Sequence, residues 1–110
     1  MKDIEKFNEI KEHAIERHIP IIMDDTLKVI EERLRARKTN RILEIGTAVG
    51  YSAICFSEFL EPNGIIDTIE RDEERIKEAK ENIKIIDNNK KINIYEGDAV
   101  EILPTINEKY

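Results

Sequence analysis

The stretch that decides the fold runs from Arg41 to Ile54 and reads RILEIGTAVGYSAI. Its first residues form a short apolar run, which is typical of a parallel strand covered on both faces. Gly46 and Gly50 then bracket a turn, where a missing Cβ permits positive φ or the close approach of a ligand. Ser52 follows at the helix start, where unpaired backbone N–H groups can receive an anionic group. The stretch predicts a buried strand, a glycine-bearing turn and the first turn of a helix.

Glu44 is the unusual residue in this stretch. A carboxylate near the carboxyl end of a buried strand is costly unless a cation or a hydrogen-bond donor meets it. That end of the strand is also where open α/β sheets bind ligands. Glu44 is therefore a candidate ligand-binding residue.

Composition and charge limit the classes of protein to which the chain can belong. A length of 110 residues indicates one domain, which can bury roughly 65% of its unfolded surface. A net charge of −6 argues against a generally basic nucleic-acid binder. The single cysteine, Cys55, excludes an internal disulfide and fits a reducing compartment. No apolar run approaches the roughly 18 residues of a membrane span, and the polar start is unlike a signal peptide. We expect a cytoplasmic protein with no membrane partner.

Two amphipathic helices are predicted in residues 1–40, which we treat as a helical segment on the substrate side. Apolar side chains recur at helical spacing as far as His18, and Pro20 ends the first helix because the residue before a proline avoids helical geometry. Asp24 or Asp25 is expected to cap the second helix.

The second helix ends in a cluster of cations, which we call the basic cluster. Its members are Arg33, Arg35, Arg37, Lys38 and Arg41. Cations in the last turn of a helix interact favourably with the helix dipole, and this interaction is the favoured explanation for the position of the basic cluster. A tRNA-contacting patch is the alternative.

Strands and helices alternate over residues 41–110, the segment expected to form the cofactor-binding half. The second strand is predicted at 65–70 and the third at 92–96, and Asp87-Asn88-Asn89 is expected to break the helix between them. This order predicts a right-handed parallel α/β sheet of Rossmann-like class. The first strand would lie at one edge, where an open apolar strand invites pairing. We expect truncation before a fourth strand; a second copy forming a homodimer is the alternative.

Acidic residues follow all three predicted strands. Glu44, Glu70 and Asp98 would converge because parallel strands end at the same sheet edge. A carboxylate ending the second strand is suited to the two hydroxyls of a ribose. Ala48 occupies the position of the middle glycine that admits a pyrophosphate in G-x-G-x-x-G, which disfavours NAD. An acidic site of this kind better fits a cationic, phosphate-free adenosyl ligand such as S-adenosylmethionine (SAM).

Three motifs carry a family resemblance that spans nearly the whole chain. Residues 43–52 resemble motif I of the class I SAM-dependent methyltransferases, in the form of the catechol and caffeoyl-CoA O-methyltransferase family. Residues 68–72 resemble the second motif, and residues 96–99 with 102–104 resemble the third. Residues 18–21, His-Ile-Pro-Ile, resemble the bacterial branch that methylates 5-hydroxyuridine at the tRNA wobble position.

The resemblance implies a role for each matching position. Glu44 would face the amino group of SAM, Glu70 would bind both ribose hydroxyls, and Asp98 would line the adenine. Met23 would close over the methionyl end, and the turn with Ser52 would hold the methionine part. The implied cofactor-binding residues are Met23, Glu44, Gly46, Thr47, Ala48, Gly50, Ser52, Glu70, Arg71, Gly97, Asp98 and Ala99.

The resemblance also implies an activity and a metal. The family's ligands for Mg²⁺ or Mn²⁺ would lie beyond Tyr110, so the metal is expected only in a longer enzyme. The expected reaction is methyl transfer from SAM to a hydroxyl oxygen, on tRNA or on a catechol-like molecule. This chain alone is expected to bind SAM and to transfer methyl poorly. A SAM-binding module without catalysis is the alternative from another class.

Overall fold

The computed structural model describes residues 4–86 and 91–110, in which helices and strands alternate as predicted. The predicted break at Asp87-Asn88-Asn89 lies outside the described residues. In chain order the elements are α1 (Ile4–Glu16), α2 (Asp24–Ala36), β1 (Arg41–Ile45), α3 (Tyr51–Ser57), β2 (Ile65–Glu70), α4 (Glu73–Ile86), β3 (Ile92–Glu96), α5 (Ala99–Ile102) and a 3₁₀ turn (Leu103–Thr105).

The three strands form one parallel sheet in the order β1-β2-β3. The central strand β2 is almost completely buried, as expected of a strand with a neighbour on each side. Glu44 of β1 lies directly beside Thr68 of β2, so their side chains share one face of the sheet. Among the described elements β1 lies at one edge of the sheet and β3 at the other, so the predicted edge position of β1 is confirmed.

The core lies between the sheet and helices α1, α3 and α4. Ile66 of β2 is completely buried and packs in a cluster with Ala53 of α3. Helix α1 joins the core through its buried Ile10, and the rings of Phe7 and Tyr51 stack with 4.9 Å between centroids. This packing fixes α3, and with it the turn that precedes α3, against both α1 and α4.

Two predictions about the N-terminal helices are wrong in detail. Helix α1 ends at Glu16, before Pro20, because His18 adopts a left-handed conformation (φ 56°) that closes the helix first. Helix α2 has Met23 at its N-cap position and no side-chain cap, so neither Asp24 nor Asp25 caps it. Both acids lie inside the first turn, where they still interact favourably with the helix dipole.

A buried carboxylate ties the strands together away from the glycine turn. Asp67 of β2 is completely buried and accepts hydrogen bonds from Arg41 Nη2 (2.7 Å), Asn93 Nδ2 (3.1 Å) and the Tyr110 hydroxyl (2.7 Å). Burial alone would raise the pKa of Asp67, but these donors together hold that pKa below its usual range. Arg41 therefore serves the sheet as the partner of a buried acid.

Candidate functional site

The turns that follow the three strands meet at one edge of the sheet. The backbone N–H of Gly46 donates to the Ile69 carbonyl (2.8 Å), and that of Gly97 donates to the Glu70 carbonyl (2.8 Å). These bonds hold the glycine turn after β1 and the turn after β3 against the end of β2. The predicted convergence of the strand ends is therefore present.

Two adjoining cavities open at this edge, with volumes of about 280 and 220 Å³. They share Ile45 and Gly46, so they lie side by side at the end of β1, and we call the two together the cleft. The first cavity is lined by Glu44, Thr47, Ala48 and Ser52, among other residues. The second is lined by Glu70, Arg71, Gly97, Asp98 and Ala99, with Ile69. Ten of the twelve predicted cofactor-binding residues line this cleft.

Met23 and Gly50 are the two predicted residues that line neither cavity. The Met23 side chain is 71% exposed, and Pro20, Ile21 and Ile22 from the same linker line the first cavity instead. Gly50 is buried with φ of +87°, and a Cβ there would lie 3.5 Å from Ile83 of α4. Gly50 therefore permits the turn and the packing of α3 on α4.

Glu44 meets two hydroxyl groups in the first cavity. Ser52 donates to one carboxylate oxygen, and Thr68 Oγ1 donates to the other at 2.7 Å. No ion pair links Glu44 to a Lys, Arg or His within the described part of the chain. Burial raises the pKa of Glu44, whereas the two hydroxyls act in the opposite direction. The site thus holds a largely buried acid whose charge is not neutralised by a protein cation.

Behind Glu44 lies a second layer of hydroxyls. The hydroxyl oxygens of Thr47 and Thr68 are 2.7 Å apart, and both residues are buried. We call Thr47, Thr68, Ser52 and Glu44 the hydroxyl network. Sequence reasoning missed Thr68, although a polar residue two positions before Glu70 in a buried strand lies on the same face as Glu70 and was a usable signal.

Glu70 is fixed by backbone donors. One carboxylate oxygen accepts from the backbone N–H of Ala48 (2.8 Å), and the other accepts from those of Arg71 and Asp72 (3.0 Å each). Ala48 itself adopts positive φ of 48°, a conformation uncommon outside glycine. A carboxylate has about four lone-pair directions. Glu70 can therefore accept further hydrogen bonds from a ligand in the second cavity.

Asp98 has two partners on the far wall of the cleft. It is the N-cap of α5, where one carboxylate oxygen accepts from the backbone N–H of Val100 (2.8 Å). The other oxygen lies 3.5 Å from Arg71 Nη1, which is an exposed and therefore weak ion pair. Asp98 therefore caps α5 and lines the second cavity at the same time. Gly97 adopts φ of +146°, and a Cβ there would come within 2.9 Å of Ile102.

The basic cluster lies away from this cleft. Arg41 is at the opposite end of β1, roughly 13–17 Å from the turn for a five-residue strand, and is bound to buried Asp67. Arg35 pairs with Glu31 (3.0 Å) and lies over the Phe59 ring. Arg33 and Arg35 lie in the last turn of α2, as the helix-dipole explanation requires.

Within the residues that the structure describes, no group of three or more His, Cys, Asp or Glu side chains could hold a metal ion. Over the same residues, no helix combines the length and the apolar character needed to cross a bilayer.

Comparison with known proteins identifies the family. The family model for protein-L-isoaspartate(D-aspartate) O-methyltransferase (PCMT) matches residues 10–104, which include every element of the cleft. The chain belongs to the PCMT family. This assignment confirms the α/β Rossmann-like methyltransferase fold that the motifs predicted.

Solved structures and a curated relative extend the comparison of this PCMT-family chain. A Staphylococcus aureus protein, whose assignment as a caffeoyl-CoA O-methyltransferase is itself a proposal, matches with TM-score 0.86 and 34% identity over 94% of this chain and 49% of its own. An O-methyltransferase from Bacillus cereus, solved with S-adenosylhomocysteine (SAH), matches with TM-score 0.82 and 28% identity over 96% of this chain and 49% of its own. Catechol O-methyltransferase from Niastella koreensis is 35% identical over 72 residues, 66% of this chain and 33% of the relative. The chain thus spans between a third and a half of the length of these proteins.

Proposed function

We propose that this chain binds SAM and forms the cofactor-binding half of an O-methyltransferase. The observation that carries the proposal is the cleft itself. Its first cavity presents an acid, Glu44, that no described protein cation neutralises, and its second presents Glu70, an acid held in place by three backbone donors. An elongated ligand with a cationic end and a diol matches that order of groups.

The residues fit this ligand position by position. Glu44 and the turn residues Gly46, Thr47 and Ala48 bind the methionine end, with Ser52 beside Glu44. Glu70 accepts the ribose hydroxyls with Arg71 next to it, and Gly97, Asp98 and Ala99 line the adenine. When bound, SAM supplies an electrophilic methyl group. The chain's own residues hold that ligand in register, which is a large part of catalysis by proximity.

A dinucleotide fits the same cleft less well. Three acids, Glu44, Glu70 and Asp98, border it, and a pyrophosphate beside Glu44 would add like charge in the first cavity, which no Lys or Arg among the described residues lines. Ala48 also places a methyl group at the position where a pyrophosphate-binding turn has glycine.

The methyl acceptor of the whole protein is an oxygen nucleophile. Two classes of acceptor are proposed. The segment His18-Ile19-Pro20-Ile21 favours 5-hydroxyuridine in tRNA, whereas the net charge of −6 favours a small catechol-like molecule. The position of the basic cluster, away from the cleft, supports the small molecule. If Arg35→Gln and Arg37→Gln do not change the affinity for tRNA, the basic cluster no longer supports an RNA substrate.

The division of labour within the protein is also a proposal. Residues 41–110 form the cofactor half and residues 1–40 form a cap on the substrate side of a cytoplasmic enzyme, with a homodimer as the alternative cover for the edge of β1. The described residues do not fit Mg²⁺ or Mn²⁺, so no step of this proposal passes through a metal.

Calorimetric titration tests the proposal directly. We expect the 110-residue chain to bind SAM and SAH with micromolar affinity and to bind NAD at least tenfold more weakly. Glu32→Gln changes an exposed acid of α2 that lines neither cavity, so this control should bind as the unmodified chain does. Tight binding of NAD with no response to SAM would overturn the proposal. Methyl transfer by this chain alone to catechols or hydroxylated uridines would refute the alternative of a non-catalytic module.

A further inference from the structure

The hydroxyl network has a defined direction. Thr68 has one hydroxyl hydrogen, and the geometry directs it to Glu44. Thr47 must therefore donate to Thr68 across their 2.7 Å contact, because the Thr68 hydrogen is already used. Ser52 donates to the other oxygen of Glu44. The donors thus all point toward one carboxylate, which is the arrangement that favours its charged form.

The groups that face Glu44 from neighbouring elements do not neutralise it. Glu70 at the end of β2 is a second acid, and the thiol of Cys55 on α3 is buried, which raises its pKa to about 12. Ser52 and Thr68 are uncharged hydroxyl donors. The described part of the network therefore stabilises a negative charge with hydrogen bonds alone and leaves lone pairs of Glu44 available to the cavity.

We propose that Thr68 is a positioning residue that holds Glu44 ionised and oriented through the hydroxyl network, so that the first cavity selects ligands carrying an ammonium group. The inference rests on the proposed function, because it assigns a cause to the selectivity of that same site. Thr68 is completely buried and lines neither cavity, so it can act on a ligand only through Glu44. The sequence motifs assign no role to Thr68.

The first experiment needs no ligand. The Glu44 carboxyl is titrated by carbon-detected NMR in the unmodified chain, in Thr68→Val and in Thr68→Ser. Valine keeps the shape of threonine but removes the donor, so we expect the titration midpoint of Glu44 to move to higher pH, and serine to restore it. An unchanged midpoint in Thr68→Val would overturn the proposal whether or not the chain binds SAM.

The second experiment compares two ligands that share the adenosyl group. SAH carries the ammonium group, whereas 5′-methylthioadenosine lacks the amino-acid part. Calorimetry of Thr68→Val should show SAH binding weakened about tenfold and methylthioadenosine binding changed less than twofold. The pH at which SAH affinity declines should also move upward in this variant.

The outcomes separate the two proposals. Equal weakening of both ligands in Thr68→Val, or no change in either, would overturn the positioning role, whereas failure of the unmodified chain to bind either ligand would overturn the proposed function. Thr26→Val on exposed α2 is the matched control and should leave both affinities unchanged. If Thr68→Val does not fold, Thr47→Val removes the next donor and should move the titration midpoint of Glu44 to higher pH, a readout measured without ligand and therefore independent of any contact between Thr47 and the ligand.

Discussion

At the scale of a single residue, the Glu44 carboxylate is proposed to bind the ligand, but its burial lowers the stability of the fold. Its carboxylate is largely buried, it is bonded only to hydroxyls among the described residues, and burial raises its pKa. When folding raises the pKa of an acid, the acid contributes its full stabilisation at pH values below its unfolded-state pKa. This contribution to the free energy of unfolding is lost as the pH rises through the folded-state pKa. Glu44 therefore destabilises the fold at neutral pH.

Glu44→Gln is expected to stabilise the chain while reducing its affinity for SAM. The amide can accept from one hydroxyl and donate to the oxygen of the other, and it carries no charge to desolvate. We expect the free energy of unfolding to rise by roughly 0.5–2 kcal/mol at pH 7.5 and the gain to shrink toward pH 4.5. Urea denaturation at the two pH values measures this change. A loss of stability at pH 7.5 would contradict the reasoning.

At the scale of secondary-structure elements, the sequence predicted most of what the structure shows. The bounds of β2 were predictable because a buried parallel strand appears as a short, mainly apolar run that ends at turn residues, and those of β3 because apolar and polar residues alternate along it. The start of α2 was not, because whether an aspartate caps a helix or lies in its first turn depends on one backbone dihedral. Asp24 lies inside the helix and pairs with Lys11 of α1 at 2.9 Å, a contact between distant parts of the sequence.

The sequence could place Thr68 on the same face of β2 as Glu70, but it could not show the contact between Thr68 and Glu44, for a related reason. That contact depends on the register that places Glu44 beside Thr68, and a register follows from pairing in three dimensions. The convergence of the three acidic strand ends was predictable, because every parallel strand in such a sheet ends at the same edge.

The sheet as an element depends on Asp67, whose removal should be costly. Asp67→Asn would remove the buried charge that Arg41 binds and leave this partly exposed cation with only the more distant carboxylate of Glu108 (3.8 Å) among the described residues, so we expect a loss of about 2–3 kcal/mol at pH 7. Because the pKa of Asp67 is lowered in the folded state, this stability is present above its unfolded-state value of about 3.9 and is lost as the pH falls through the folded-state pKa. The difference between the two proteins in urea denaturation should therefore shrink below about pH 4. Asp25→Asn should change stability by less than about 0.5 kcal/mol, and an equal loss in both variants would contradict the assignment.

At the scale of the whole molecule, the two N-terminal helices differ in how they join the fold. Helix α1 contributes buried Ile10 and Ala14 to the cluster that contains Tyr51 of α3, directly after the glycine turn. Helix α2 has no buried residue, and its Val29 is 53% exposed. Packing of α1 against Tyr51 therefore supports one wall of the first cavity, whereas α2 contributes only partly buried side chains such as Leu27.

Ile10→Ala and Val29→Ala test this difference, because both shorten an aliphatic side chain on an N-terminal helix. Ile10→Ala should lower the free energy of unfolding by about 2–4 kcal/mol, since it leaves a cavity against α3, whereas Val29→Ala should lower it by less than about 0.5 kcal/mol. Urea denaturation measures both. Similarly small losses in the free energy of unfolding for both variants would contradict this expectation. They would show that packing of α1 contributes little to the stability of the fold and of the glycine turn. The expected contrast would make α1 part of the cofactor-binding half in energetic terms, although it lies ahead of β1 in the sequence.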